Sequence, residues 1–253
     1  MESFSKFSHY ERLAKNLTYE IDRILVYPLM LCFGIAKVVI HGEENLENLG
    51  PCLILPKHCY NADVPAIAYA LLRNGFRINY VSKTFNPFLD IIIAPLGARR
   101  VFQREDVVQE FLSYAKSNGS VNSNKLMERK RGIVAKARSI NQETMRALQE
   151  SYTRGEVVVS HPEHGKYIGR LGNIFPDEVL RTIMKFFYED KSISLVPVGV
   201  EYDAPPSFFH PSTLTIRFGK KISIDEFVNN GSFDEKGLVK RIKGNIATLS
   251  GLV

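Results

Sequence analysis

The stretch CLILPKHCYNADVPAIAYALL, residues 52–72, decides the fold. Cys52–Pro56 is a short apolar run behind Gly50-Pro51, the pattern of a buried strand bounded by turn residues. Val64–Leu72 reads as a helix. Between them KHCYNAD is a polar turn, with Asn61 suited to it. A strand that passes through a turn directly into a helix is the building unit of an α/β layer fold.

Working outward, the same alternation continues. Arg77–Ser82, Glu156–Ser160, Ile193–Val200 and Leu214–Phe218 read as strands. Residues 141–153, 177–188 and 234–248 read as helices, the last capped by Ser232 or Asp234. Phe88–Leu96 is apolar and fits either state. The expected architecture is α/β, a central and largely parallel sheet flanked by helices.

The N-terminus differs. Residues 9–22 mix charged and apolar residues at helical spacing, and Ile24–Ala36 then runs without a charge until Lys37. Those 13 residues fall short of the roughly 20 needed for a span, which favours a core helix or an interfacial segment. Acidic Glu11, Glu20 and Asp22 ahead of the run, and no small-residue cleavage site after it, argue against a signal peptide. Residues 1–40 are therefore expected to be a helical, membrane-associating segment, and residues 41–253 the main domain. Residues 105–140 look inserted: they are polar, and SNGSVNSN at 117–124 signals a loop. Lys125–Arg138 holds six basic residues and one acid, either a solvated helix face or a contact for anionic head groups.

Composition narrows the partners. At 45% hydrophobic and 24% charged, the 253 residues suit one folded core with a small appendage. The net charge of +6 favours anionic partners. No nucleic-acid-binding motif accompanies that charge, which leaves an anionic membrane surface or a phosphorylated substrate. Cys32, Cys52 and Cys59 are odd in number and lack CxxC spacing, so neither a disulfide framework nor a cysteine zinc site is expected. A reducing compartment follows.

Four blocks carry chemistry. In the first, five positions separate His58 from Asp63. A straight strand puts such a pair on opposite faces, and a straight helix puts them well apart around its axis; only a turn lets them meet. A carboxylate on one imidazole nitrogen fixes the tautomer and frees the other as a base. Alternatively Asp63 merely caps a helix and His58 is a loop residue. Cys59, adjacent in sequence to the histidine, is poorly placed as a nucleophile paired to it. The second block, LGARRVFQR, sets Gly97 before Arg99, Arg100 and Arg104, with Lys83 upstream; guanidinium forks suit phosphate, and a basic surface loop is the plainer reading. The third leaves the strand at 156–160 and places Glu163, Gly165, Lys166, Gly169 and Arg170 in a glycine-bearing loop, where α/β sheets hold ligands. His161 and His164 beside Glu163 lack the helical H-E-x-x-H order of a zinc site, so no metal is expected. In the fourth, Pro197 stands inside a strand, which calls for an edge position or a bulge.

In this order and spacing the four blocks resemble those of the glycerolipid acyltransferase superfamily, which includes the 1-acylglycerol-3-phosphate acyltransferases. His58-x4-Asp63 resembles its first motif, Gly97–Arg104 its second, Pro162-Glu163 with Gly165-Lys166 its third, and Val196-Pro197-Val198 its fourth; Lys83 and TIRFGKKIS are similar too. The likeness spans residues 35–225. It implies an O-acyltransferase in phospholipid biosynthesis with His58 and Asp63 catalytic. Lys83, Gly97, Arg99, Arg100, Arg104, Glu163, Gly165, Lys166 and Pro197 would serve the substrate. The donor would be acyl-CoA or acyl carrier protein as co-substrate, with no cofactor and no metal. The acceptor would be a lysophospholipid, at the cytoplasmic face of a membrane, with the protein peripheral or monotopic.

The chain departs from the family pattern at several positions. Lys57 stands where asparagine is usual, Arg100 competes with Arg104 for the second-motif arginine, and His164 and Lys166 replace a glycine and an arginine. These changes bear on the acceptor more than on the reaction. The competing readings are an acyltransferase for glycerol-3-phosphate or another lysolipid, a non-catalytic lipid-binding protein on the same scaffold, and a metal-dependent hydrolase using His58, Asp63, His161 and His164.

Overall fold

The computed structural model describes residues 24–82, 98–102, 104–117, 123–163, 165–174, 194–229 and 232–252. In chain order the elements are helix α1 (24–32), strands β1 (Ile35–His41) and β2 (Cys52–Pro56), helix α2 (Asp63–Arg73), and strands β3 (Ile78–Ser82) and β4 (Arg99–Arg100). Helices α3 (Arg104–Ser117) and α4 (Ser123–Thr153) follow, then strands β5 (Val157–Ser160), β6 (Ser194–Tyr202), β7 (Ser212–Phe218) and β8 (Ile222–Ser223). Short strands β9 (Val228–Asn229) and β10 (Ser232–Phe233) pair with each other, and helix α5 (Glu235–Leu249) comes last.

The strands lie in the order β1-β7-β6-β2-β5-β3-β4, with β8 also on β6. The neighbours β6, β2, β5, β3 and β4 are mutually parallel. The partners β7 and β8 run against β6, and β1, parallel to β7, shares that opposite direction. The largely parallel sheet is as expected. It puts the carboxyl ends of β2, β5 and β6 on one side, together with the starts of β7 and β1.

The pleat sorts the apolar residues of β2 to opposite faces. Cys52 and Ile54 join the core beneath α1 and α2, with Ala66, Ile67 and Leu71. Leu53 and Leu55 join a second core with Leu148 of α4 and Leu238, Ile242 and Ile246 of α5. A strand buried on both faces reads as an unbroken apolar run, which is why CLILP is legible. Asp234 caps α5 by accepting the Gly237 N–H at 2.9 Å.

Three expectations change. The uncharged run at 24–36 is not one helix, because Gly34 takes φ 77 and turns the chain into β1. An added Cβ there would also lie 2.5 Å from the Ser207 backbone. The boundary expected at residue 40 thus falls inside a strand of the main sheet, and residues 35–40 are part of that strand. Second, the inserted stretch has, besides the helix whose face was read at Lys125–Arg138, a further helix: α3 packs on α4, with Lys136 3.8 Å from Glu110 and the Arg129 guanidinium 5.1 Å from the Tyr114 ring centre. The helix expected at 141–153 is the last part of α4, whose buried Ile133, Ala137, Thr144 and Leu148 follow a helical stripe. Third, Pro197 is not on an edge. Its strand lies between β2 and β7, but β8 pairs only Ser194 and Leu195 of β6 while β7 begins at Val198. The missing N–H faces that break in the ladder, and the Pro197 carbonyl accepts the Gly219 N–H across it at 2.9 Å.

The expected helices at 9–22 and 177–188 and the stretch Phe88–Leu96 lie outside the described residues. Among the described residues no helix is long and apolar enough to cross a membrane.

Candidate active site

The site forms where β2 ends. Lys57 leaves the strand, its N–H still donating to the Val198 carbonyl at 2.9 Å, and His58 to Ala62 make the turn into α2. Asp63 is the first residue of that helix and not its cap, which is Ala62. From there its carboxylate reaches back over the turn. Oδ2 accepts the N–H of Cys59 at 2.5 Å and of Tyr60 at 3.0 Å, and lies 3.1 Å from His58 Nδ1. Oδ1 accepts the hydroxyl of Tyr202, from the carboxyl end of β6. Asp63 is fully buried, and these contacts satisfy it as burial of a carboxylate demands.

That geometry decides the tautomer. A carboxylate only accepts, so this contact requires the proton on His58 Nδ1, and in the neutral ring the basic nitrogen is then Nε2. The His58 side chain is 17% exposed, so the imidazole remains within reach of a ligand. Burial, reinforced by the Asp63 charge, raises the Tyr202 phenol far above its ordinary range, so it stays a donor to Asp63. Burial, with Asp63 again adding to it, pushes the Cys59 thiol up to about 12. A buried, protonated thiol directed at the Val200 carbonyl is no nucleophile.

A second layer holds the turn from below. Glu163 Oε2 accepts the His58 backbone N–H at 2.7 Å, and Oε1 accepts that of Gly172 at 2.7 Å. Lys57, also buried, donates to the carbonyls of Tyr167 at 2.5 Å and Arg170 at 2.9 Å, and its Nζ lies 3.7 Å from Glu163 Oε1. The Tyr167 N–H donates to the His58 carbonyl at 2.9 Å. The loop after β5 is thereby fastened to both sides of His58. Glu163 was expected among the substrate contacts. Its side chain is wholly buried, and its two oxygens accept the His58 and Gly172 N–H groups.

His161 packs against the imidazole of His58, ring centres 4.2 Å apart and planes 33° from parallel. Its Nδ1 lies 3.2 Å from the Pro56 carbonyl, while Nε2 is buried with no hydrogen-bond partner among the described residues. Burial, then the neighbouring His58, lower its basicity well below that of a free imidazole.

The remaining expected residues are more scattered. Lys166 is exposed on the rim and Gly165 half-buried beside it. Arg99 is exposed on β4. Arg100 ends β4 and Arg104 begins α3, but their side chains, like Lys83, Gly97 and His164 altogether, lie outside the described residues. Pro197 sits in the middle of β6, buried, opposite Leu55. No group of three metal-ligating side chains occurs among the described residues. Tyr202 was not foreseen as part of the site. The available signal was its place at a strand's carboxyl end beside β2, a position only the sheet order discloses.

One solved structure of this architecture is the crystal structure of the 1-acyl-sn-glycerophosphate (LPA) acyltransferase PlsC from Thermotoga maritima. The chain shares its fold. The two are 13% identical and superpose with a TM-score of 0.58, over 99% of this chain and 86% of the other. No family model matches the sequence, and no curated protein matches it.

Proposed function

We propose that this chain transfers a fatty acyl group from a thioester donor to the free hydroxyl of a lysophospholipid, 1-acylglycerol-3-phosphate being the first candidate. The observation that carries the reading is the 3.1 Å contact of His58 Nδ1 with the buried Asp63 carboxylate, which places the neutral ring's proton on Nδ1 and makes Nε2 its basic nitrogen. The shared fold supports it, as do the motif blocks read in the sequence.

In the proposed reaction His58 Nε2 takes the proton of the acceptor hydroxyl as its oxygen attacks the thioester carbonyl. A C–O bond forms, the C–S bond breaks, and the imidazolium returns the proton to the departing thiolate. Asp63 keeps the ring oriented and stabilises its charged form. A thioester is already activated, so no acyl-enzyme is required. The donor class is acyl-CoA or acyl carrier protein. Arg99, Arg100, Arg104, Lys83 and Lys166 are assigned to acceptor phosphate, with Gly97 and Gly165 allowing close approach. The protein would work as a peripheral or monotopic protein on the cytoplasmic face of a membrane.

Purified protein is to be offered a thioester donor and a panel of acceptors (1-acylglycerol-3-phosphate, other lysophospholipids, glycerol-3-phosphate), with product masses read out. Ester formation on a lysophospholipid is expected, and H58A should lower it by about 10²–10⁴-fold with the fold retained. Near-normal turnover by H58A would refute the base assignment. Transfer only to glycerol-3-phosphate would correct the acceptor, and no transfer at all would sink the enzyme reading.

A further inference from the structure

We infer that the turn Ser207-Phe208-Phe209-His210 is a lipid-inserting element that seats the His58 end of the protein on a bilayer. Phe208 and Phe209 are 69% and 85% exposed, side by side, with ring centres 5.6 Å apart and planes at 89°. Turns of this kind are normally built from Gly, Pro, Asn, Asp and Ser, so folding does not call for two phenylalanines at its tip.

The turn is held in place. Ser207 and His210 exchange backbone hydrogen bonds at 3.3 and 3.2 Å, and the Ser207 hydroxyl accepts the His210 N–H at 3.0 Å. At its base the Ser212 hydroxyl lies 2.6 Å from Asp203 Oδ1 and 2.8 Å from the Ala204 carbonyl, while the Thr213 N–H donates to Asp203 at 2.9 Å. Gly34 lets the Ser207 backbone lie against the junction of α1 and β1. The two rings are thus presented outward on a braced support.

Its position selects the partner. The loop leaves β6 directly after Tyr202, which bonds Asp63, so it projects from the same end of the sheet as the catalytic turn. The exposed cations Lys37, Arg99, Lys166 and Arg170 belong to that end as well. The one carboxylate at the base of the loop, Asp203, is already engaged by Ser212 and Thr213. Exposed Leu31 lies on the last turn of α1, next to the same support. Exposed aromatic side chains at the same end of the sheet as exposed cations fit an anionic phospholipid surface. The orientation toward lipid rests on the proposed action on a lysophospholipid, but the test below needs no turnover.

The chain has no tryptophan, so F208W creates a single tryptophan reporter, excited apart from the tyrosines. Full-length F208W is to be titrated with vesicles of phosphatidylcholine and phosphatidylglycerol. A saturable blue shift is expected, with quenching when the acyl chains are brominated. In sedimentation with the same vesicles F208S/F209S should bind roughly tenfold or more weakly than wild type, with an unchanged circular dichroism spectrum. The inference is overturned if the protein does not sediment with vesicles, if it does so with unshifted emission, or if F208S/F209S binds as well as wild type. A shift that grows with protein concentration in the absence of vesicles also overturns it, since the rings would then meet a second copy. Loss of acyl transfer in an enzyme that still inserts would count against the proposed reaction and leave the docking intact.

Discussion

At the scale of single residues, the site is a study in where buried charge goes. Asp63, Glu163 and Lys57 are all withdrawn from solvent, and each is compensated by backbone groups of the turn or of the loop that holds it. The arrangement converts electrostatic need into position, because every one of these contacts pins the main chain beside His58. His161 differs: its Nε2 is buried with no hydrogen-bond partner among the described residues. Its native form is neutral, chiefly because burial disfavours the charged ring and secondarily because His58 is adjacent. In the unfolded chain the same ring titrates near 6.5. Below that pH the unfolded state binds a proton that native His161 refuses, so stability falls as pH drops, by about 1.4 kcal/mol per unit. Urea midpoints at pH 7.5, 6 and 5 should therefore fall more steeply for wild type than for H161F. Parallel curves would show that His161 is not the titrating group.

At the scale of elements, one glycine sets how the N-terminal part meets the sheet. Gly34 ends α1 in a left-handed conformation and leaves room for the Ser207 backbone, joining α1, β1 and the loop between β6 and β7 at one point. The Ser212 N–H also donates to the Gly34 carbonyl at 2.8 Å. Alanine at this position would carry about 1–2 kcal/mol from the left-handed backbone alone, and the clash with Ser207 adds to it. G34A should thus unfold at clearly lower urea concentration than wild type; an unchanged midpoint would mean that the junction yields without strain. The uncharged run at 24–36 gave no hint of this break from its hydrophobicity, since a helix and a buried strand are equally apolar. The glycine itself was the only mark of it.

At the scale of the molecule, the sheet separates two cores, and the site draws on their strands at one end only. Ile242 of α5 is fully buried in the core on the face away from α2. Its truncation to alanine should cost about 2–5 kcal/mol of stability. Because α5 supplies nothing to the His58 turn among the described contacts, kcat/KM of the folded I242A protein, measured well below its unfolding transition, should stay near wild type. A large loss of activity in a folded variant would mean that the second core sets the geometry of the site.

The local pattern of the chain was enough to settle the strand-turn-helix at 52–72, the parallel strands with apolar runs, and the cap of the last helix, because each depends on neighbours within a turn or two of chain. It also placed His58 and Asp63 where a turn could join them. Tertiary structure alone decided the rest. Tyr202 reaches Asp63 across 139 residues, and Glu163 reaches the His58 backbone across 105. Pro197 fits only because β7 and β8 stop on either side of it. Such contacts depend on which strands become neighbours, and strand order is set by how the two faces of the sheet are covered, a property of the whole chain and of no single stretch of it.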